Sequence, residues 1–226
     1  VKFFTDTLVT GIQINGNIKT IQTQKGSYET EKVIFVGGAW TKNLGKMIGV
    51  NFKFSITKHK VLTLKMDIPY PKDLPIVKDL ISPEKIYFRA DSGGVILVGT
   101  GDFGDEIENI EMMDDEVENE HIENIARSIT NRMPSFVNAK LINTWTGPYD
   151  IPQDWNPIIG QVPGHDGIFA AYGFSGHGFK MAPTIGESFA QQILGIKPRV
   201  PIDMYSISRF ETGNTLHGTY GIGTLG

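Results

Sequence analysis

The sequence of 226 residues contains no cysteine, which excludes disulfide bonds, thiolate nucleophiles and cysteine-based zinc sites. It also lacks an uninterrupted apolar run of about 18 residues, so no membrane-spanning helix is predicted. Its first residues form no signal peptide, because they contain neither a long apolar stretch nor a small-residue cleavage pattern. We therefore expect a cytoplasmic protein. Because the sequence has no initiator methionine, we also expect it to be a piece of a longer polypeptide.

Several classes of functional site are missing as well. The net charge is −4 and no basic stripe is present, so nucleic-acid binding is not expected. The five histidines include no pair at H-x-x-x-H spacing, and no carboxylate cluster accompanies them. The G-x-S-x-G motif of α/β-hydrolases is also absent. We predict neither a metal site nor a serine hydrolase.

The first 36 residues have the alternation and turn signals of strands. The apolar run from Lys32 to Val36 predicts a strand buried on both faces, as in a parallel sheet. A short helix is predicted over residues 41–48, and residues 50–102 predict a mostly antiparallel sheet with a proline-rich loop around Pro69, Pro71 and Pro75.

Two longer helices are expected. Residues 114–133 have apolar residues at i, i+3, i+4 spacing, and Pro134 ends the pattern. A second helix is expected from about residue 183, with Pro183 at its first position and Gly195 as its C-terminal cap. This combination of elements predicts an α+β protein.

Two segments match the dinucleotide-binding pattern G-x-G-x-x-G, and both are rejected. After the segment from Gly99 to Gly104 no helical pattern begins, and Asp102 and Asp105 would place negative charge where a pyrophosphate must lie. The segment from Gly221 to Gly226 ends the sequence, so no helix N-terminus follows it to hold a phosphate. We predict a strand-ending turn for the first of them.

The most informative stretch is Ala171 to Lys180, which links an apolar strand to a helix. Three glycines within six residues allow the backbone to take positive φ and to approach a ligand closely. The N-terminus of the following helix would direct its N–H groups and positive dipole end toward that ligand. From the residues alone, a glycine-rich turn with incidental His177 and Lys180 is an equal alternative.

A family resemblance favours the ligand site. The segment G-F-S-G-H-G-F-K, Gly173 to Lys180, resembles the flavin-contacting segment of the monomeric sarcosine oxidase family. The blocks from Trp145 to Gly160, from Val33 to Thr41 and from Asp203 to Phe210 also resemble that family, in the same order along the chain. The sequence is therefore identified as a member of the FAD-dependent D-amino-acid oxidase, sarcosine oxidase and glycine oxidase superfamily, lacking its N-terminal dinucleotide-binding motif.

The resemblance implies an FAD/NAD(P)-binding architecture of the glutathione reductase type, truncated at the N-terminus. Residues 1–48 and 146–226 would form part of the FAD-binding domain and the tail, and residues 49–145 would form the substrate domain. It also implies FAD, bound non-covalently because the sequence has no cysteine to attach it. The residues that it places at the cofactor are Gly37, Gly38, Ala39, Trp40, Gly147, Gly173, Phe174, Ser175, Gly176, His177, Gly178, Phe179 and Lys180.

The resemblance assigns catalytic roles to three residues. His177 would stabilise reduced flavin, Lys180 would pair with a substrate carboxylate, and Tyr149 would face the substrate. The implied reaction is hydride transfer from the carbon beside an amine nitrogen of a small amine or amino acid, such as sarcosine, glycine or proline. The N-terminal grip on FAD would come from an upstream segment or a partner subunit.

Two questions stay open from the sequence. Leu97 aligns with a lysine that promotes oxygen reduction in the family, so a dehydrogenase is as well supported as an oxidase. A non-catalytic fragment or interaction module without a complete FAD site is the alternative to an enzyme.

Overall fold

The computed structural model describes residues 1–67, 73 and 75–217. The chain divides into two compact units, the first formed by Val1–Ser55 with Asp150–Gly226 and the second by Ile56–Tyr149. The divisions fall a few residues after the predicted boundaries at 48/49 and 145/146. Each division lies within a long strand, Ser55–Lys65 or Lys140–Ile151, so no local change in composition marks the boundary between the units. The assignment of the units to FAD and to substrate stays a prediction.

The elements alternate between short strands and a few helices, as an α+β fold requires. The strands are β1 (Val9–Asn15), β2 (Ile18–Thr23), β3 (Gly26–Thr30), β4 (Val33–Phe35), β5 (Ser55–Lys65), β6 (Val77–Lys78), β7 (Tyr87–Ala90), β8 (Val95–Gly99), β9 (Asp105–Ile107), β10 (Lys140–Ile151), β11 (Ile158–Gln161) and β12 (Ile168–Tyr172). The helices are α1 (Thr41–Lys46), α2 (Asn119–Arg132), α3 (Gly178–Ile193) and α4 (Arg209–Thr212). Short 3₁₀ turns connect several of these elements.

The first unit contains two small sheets. Strands β1, β2 and β3 form an antiparallel meander, joined by the turns that the sequence predicts around Gly16 and Gly26. Strands β11, β12 and β4 form the other sheet, in which β12 is antiparallel to β11 and parallel to β4. The predicted parallel strand beginning at Val33 is thereby confirmed.

The prediction that this strand is buried on both faces is wrong for the described part of the chain. Phe35 is buried against the ring of Phe52, whereas Ile34 and Val36 are 45% and 69% exposed. The other face of the sheet has no described element packed on it at β4. Apolar content alone does not tell how many faces of a strand are covered, because it reports transfer free energy and not the neighbours.

Helix α3 packs on the β11–β12–β4 sheet and closes the core of the first unit. The side chains that meet there are buried: Ile159, Ala171, Ile185, Phe189 and Ile202. The helix begins at Gly178 rather than near residue 183, so Pro183 lies inside it and not at its first position. Because Phe179 is exposed, water can bind the carbonyl that the missing proline N–H leaves unpaired, which lowers the cost of this proline. Gly195 follows the C-terminus at φ 71°, as predicted.

A buried ion pair fastens the C-terminal part of the first unit to the loop before β11. Arg209 donates from Nε and Nη2 to the two carboxylate oxygens of Asp154 at 2.8 and 2.9 Å, and from Nη2 to the carbonyl of Asn156 at 2.8 Å. Burial alone would raise the pKa of Asp154, but the hydrogen bonds and charge of Arg209, together with the backbone N–H groups of Leu216 and Asn156, outweigh it and lower that pKa. The fork-shaped guanidinium thus joins two blocks of the sequence that are far apart along the chain.

The second unit is one sheet with a helix over it. Its path is β10-β5-β8-β7-β6, with β9 also paired to β5, and the pairs among β5 to β9 are antiparallel, as predicted. Helix α2 buries Ile125 and Ile129 against strand residues such as Phe88 and Val98. Part of the expected proline-rich loop lies outside the described residues, because residues 68–72, with Pro69 and Pro71, are not among them.

Helix α2 begins at Asn119, five residues after the predicted start at Asp114. The Asp114 carboxylate accepts a hydrogen bond from the Glu116 N–H at 3.0 Å and pairs with Lys58 Nζ at 2.5 Å. These contacts hold residues 114–116 in a turn, because a short acidic side chain competes with the helix for its own backbone.

The rejection of the first G-x-G-x-x-G match is confirmed. β8 ends at Gly99, and the segment after Gly104 is strand β9 rather than a helix. The second match, Gly221 to Gly226, lies outside the described residues. Over the part of the chain that the structure describes, no helix is long and apolar enough to cross a membrane.

Candidate functional site

The candidate site is the edge of the sheet where the parallel strands β4 and β12 both end. Their register pairs Val33 with Ile168 and Phe35 with Ala170. The carboxyl ends of parallel strands lie at one edge, where open α/β sheets bind ligands. Two predicted segments, Gly37 to Trp40 and Gly173 to Lys180, follow these strands directly and therefore meet at this edge.

The turn after β4 leaves its backbone accessible. Gly38 has φ 52°, and a side chain built on it would meet nothing within 4 Å. Gly37 is crowded instead, because a Cβ there would lie 2.9 Å from Leu44. The hydroxyl of Thr41, at the start of α1, is buried and has no hydrogen-bond partner among the described residues. This unpaired hydroxyl lies beside Gly37, 3.3 Å from where its Cβ would be, and a buried polar group without a partner calls for an explanation such as a ligand.

The turn after β12 is held in a conformation that few residues adopt. Gly173, Ser175 and Gly176 have φ values of 75°, 49° and 79°. At Gly173 glycine is also sterically required, since a Cβ would lie 2.3 Å from the ring of Pro152. Ser175, with a side chain in the left-handed region, is a strained residue in a buried position. The structure therefore supports the part of the prediction that concerned positive φ.

Asp150 holds this turn in place, and the sequence reasoning did not single it out. Its Oδ2 accepts a hydrogen bond from the Gly173 N–H at 2.6 Å, and its carbonyl accepts one from the Ser175 N–H at 3.2 Å. Burial raises the pKa of the Asp150 carboxyl, and the backbone N–H groups of Gly173 and Phe174 oppose that rise. Asp150 lies within the segment from Trp145 to Gly160 that resembles the family, but nothing in the local sequence indicates a contact with a residue 23 positions away.

The N-terminus of α3 follows immediately. His177 is the N-cap residue, and its side chain forms no capping hydrogen bond to the helix. The His177 N–H donates to the Phe174 carbonyl at 2.8 Å. The 16-residue helix thus presents uncapped N–H groups and its positive dipole end at the sheet edge. Phe179 and Lys180 are exposed, and Lys180 forms no ion pair within the described ranges.

Trp40 and Ala39 complete the turn after β4. Trp40 is 47% exposed and Ala39 is buried. The two glycine-rich turns, the orphaned Thr41 hydroxyl and the uncapped helix together fit a flat group with acceptor atoms, which is the character of a flavin ring. Within the residues that the structure describes, no group of three metal-binding side chains is present.

Gly147 and Tyr149 belong to the second unit, both on β10. A Cβ at Gly147 would meet nothing within 4 Å. Tyr149 lies in a cluster that the sequence did not predict: its ring stacks on His59 with centroids 3.8 Å apart, and its hydroxyl is hydrogen-bonded to that of Tyr87. Burial raises the pKa of both tyrosines.

His59 is buried with Thr57 on the same face of β5. Thr57 Oγ1 and His59 Nε2 are 2.9 Å apart, and burial lowers the pKa of His59 to about 4 although Asp102 and Asp105 oppose the change. The imidazole is therefore neutral at physiological pH. The sequence signal for this contact is a threonine two residues before a histidine in an alternating strand, but that spacing is common.

A parallel strand pair whose carboxyl ends carry two glycine-rich turns and a helix N-terminus has the layout at which open α/β sheets bind ligands. The comparisons with known proteins make this specific: the chain belongs to the FAD dependent oxidoreductase family, which it matches over residues 1–192. FAD is the cofactor that gives this family its name.

Relatives with established names are similar over most of the chain. It is 30% identical to monomeric sarcosine oxidase of Bacillus sp. (strain B-0618) over 92% of its length and 54% of the oxidase, and 25% identical to mitochondrial sarcosine dehydrogenase of Mus musculus over 92% of its length and 24% of the dehydrogenase. The chain thus spans between about a quarter and about half of these relatives.

Solved structures of related enzymes share the fold of this chain. The L-proline dehydrogenase from P. horikoshii superposes with a TM-score of 0.81 at 30% identity, over 92% of this chain and 54% of that one. The glycine oxidase from Geobacillus kaustophilus has a TM-score of 0.75 at 20% identity, over 90% of this chain and 52% of that one, and that likeness concerns the fold alone. The predicted family and α+β class are confirmed.

Replacing Asp150 with alanine should destabilise the protein by about 1–3 kcal/mol, because the buried Gly173 N–H loses its acceptor. Asp150→Asn keeps a carbonyl oxygen of the same size and should lose less. The measurement is urea denaturation of both variants, with Asp166→Asn as an exposed control. A wild-type midpoint for Asp150→Ala would show that the turn does not depend on this carboxylate.

The low pKa of His59 predicts a stability that falls as the pH decreases from 7 to 4. The unfolded chain takes up the proton near pH 6.5, whereas the folded protein takes it up only near pH 4, so folding is penalised between these values. The penalty can reach about 3 kcal/mol at pH 4. Comparing the free energy of unfolding of the wild type and His59→Phe at both pH values isolates it. Equal pH dependence in the two proteins would contradict a buried neutral imidazole.

Proposed function

We propose that this chain forms part of a flavoenzyme that oxidises the C–N bond of a small amine or amino acid with non-covalently bound FAD. The observation that carries this is the meeting of the two glycine turns and the α3 N-terminus at one edge of the β4–β12 pair, in a chain of the FAD dependent oxidoreductase family. The names of its relatives include sarcosine, glycine and proline, and these small molecules set the size of the substrate that we propose.

The residues that would hold the flavin ring are those of the two turns. Gly38, Gly173 and Gly176 let the backbone approach the ring, and the Thr41 hydroxyl is available to donate to it. FAD, when bound, supplies the acceptor for the hydrogen and the two electrons of the C–H bond beside the substrate nitrogen. The pyrophosphate of FAD would be bound by an N-terminal segment or a partner subunit that contains a strand–G-x-G-x-x-G–helix unit.

The α3 N-terminus would stabilise negative charge that develops on the cofactor. The uncapped N–H groups of its first turn and the positive end of the dipole lie just after the turn at Gly176. His177, the N-cap residue, would add a further donor or a positive charge there. Such preorganised dipoles lower the barrier because they need no reorientation when the charge appears.

Lys180 would bind the carboxylate of the substrate. Lys180 is exposed in the first turn of α3, and an ammonium group there can pair with the carboxylate of an amino acid. Tyr149 would present its hydroxyl to the substrate. The nitrogen of the oxidised substrate then carries a C=N double bond, which water hydrolyses to a carbonyl compound and a free amine.

The attachment of FAD should be non-covalent. The chain contains no cysteine, and Gly147 stands where the resemblance places the cysteine that binds FAD in monomeric sarcosine oxidases. With Leu97 at the position where the resemblance places the oxygen-activating lysine, a dehydrogenase that passes electrons to a partner or quinone is as well supported as an oxidase.

The FAD site is tested with the complete protein purified as expressed. We expect the two visible absorption bands of oxidised flavin, and denaturation should release all of the flavin into solution. Gly38→Ala should weaken FAD binding by about tenfold or more, because its Cβ enters the space where the ring approaches. Gly49→Ala is the matched control, since Gly49 also has positive φ (73°) and open space around it but lies beyond the far end of α1. A colourless wild-type protein would support a non-catalytic module.

Substitution of Lys180 by methionine keeps the apolar stem and removes the charge. We expect KM for a carboxylate-bearing substrate to rise about ten- to a hundredfold, which corresponds to the loss of one charged hydrogen bond, while the Kd of FAD stays unchanged. Lys197→Met, an exposed lysine beyond the end of α3, is the control. Equal weakening of substrate and FAD binding would show that Lys180 does not serve the carboxylate.

A further inference from the structure

The aromatic cluster of the second unit has a layered construction. The His59 and Tyr149 rings stack at 3.8 Å with an interplanar angle of 20°, and Thr57 contacts His59 Nε2 at 2.9 Å. Tyr87 reaches the Tyr149 hydroxyl from β7. One contact thus fixes the plane of the Tyr149 ring, and another fixes the position of its oxygen.

Glycines of the rejected G-x-G-x-x-G match make room for this cluster. A Cβ at Gly99 would lie 2.4 Å from the Tyr87 ring, and one at Gly104 would lie 2.9 Å from His59 Nε2. Gly99 is crowded by the Tyr87 ring, and Gly104 is crowded by the Lys58 carbonyl and the His59 ring. The segment from Gly99 to Gly104 therefore shapes the surroundings of His59 and Tyr87.

The hydrogen bond between the tyrosines joins two buried hydroxyls. Burial raises the pKa of both, and the hydrogen bond opposes that rise at Tyr149 and adds to it at Tyr87. Each phenol hydroxyl can donate one hydrogen and accept others, so the Tyr149 oxygen keeps capacity for a further partner, such as a substrate carboxylate.

We propose that His59 is a positioning residue, which by stacking on Tyr149 between Thr57 and Gly104 holds that phenol ring in the orientation its substrate contact requires. This inference rests on the proposed function, because it takes Tyr149 as a residue that faces the substrate. His59 acts through Tyr149 and takes no part in proton transfer. Its stacking surface, and not its basicity, is the property that matters.

The first measurement is steady-state kinetics of the complete, FAD-loaded protein with the variants His59→Ala and His59→Phe. Removing the ring should raise KM about three- to tenfold, the range that one aromatic pair supports, with a smaller change in kcat. His59→Phe keeps a ring in the stack and should stay within about twofold of the wild type. His121→Ala, a histidine of α2 in the same unit, should change neither constant.

The second measurement needs no turnover. With 3-fluorotyrosine incorporated at position 149, the fluorine resonance should be displaced from its denatured value by the neighbouring ring. The displacement should vanish in His59→Ala and persist in His59→Phe. An unchanged resonance in His59→Ala, or equal kinetic losses in both variants, would overturn the proposal.

The two measurements separate this proposal from the proposed function. If the complete protein binds no FAD and oxidises no amine, the proposed function fails, and the role of His59 toward a substrate fails with it. In that case the fluorine resonance still shows whether His59 orders the ring. If the protein is active and His59→Ala has a wild-type KM, only the positioning role is lost.

Discussion

The parallel pairing of β4 with β12 is the constraint on which the candidate site depends. The two strands are more than a hundred residues apart in the sequence, and their backbone register alone brings the turns at Gly38 and Gly173 to a common edge. An antiparallel pairing would put those turns at opposite ends of the sheet. The link begins where the Val33 N–H donates to the Gly167 carbonyl at 2.9 Å, at a glycine with φ 73°. Lys19 is buried beside this point and donates to the Glu31 carbonyl.

Two neighbouring carboxylates support this edge by opposite electrostatic means. Asp154 is buried with a guanidinium, and the hydrogen bonds from Arg209 lower its pKa despite burial. Asp150 accepts hydrogen bonds from the backbone, and no cation of the described residues contributes to its titration, so burial prevails and its pKa is raised. A buried carboxylate without a counter-charge is costly, and the N–H groups of the strained turn are what compensates it. The strain at Ser175 and the burial of Asp150 therefore belong to one arrangement.

The sequence was sufficient where the physical cause is local. The apolar period of α2, the strand at Val33 and the absence of a helix after Gly104 all follow from residues within one element. The start of α3 did not follow, because Pro183 is a common first residue and only the packing of the helix shows that it begins at Gly178. Asp150 and His59 were missed for the same reason. Their roles come from distant partners, Gly173 in the turn after β12 and Tyr149 on β10, which no local pattern specifies.

Glycine illustrates why context decides what a motif means. At Gly173 and Gly176 positive φ turns the chain so that a helix N-terminus follows, and the backbone itself becomes the surface that a ligand can meet. At Gly99 the backbone is an ordinary strand, and the absent side chain is instead the space that the Tyr87 ring fills. The G-x-G-x-x-G match from Gly99 to Gly104 belongs to this second kind, because its first glycine makes room for a ring. A phosphate or flavin site needs N–H groups that other protein groups do not use, and the glycine-rich turn that leads into α3 is followed by a helix N-terminus without a side-chain cap. The ligand chemistry of a glycine-rich segment therefore depends on the donors beside it rather than on its count of glycines.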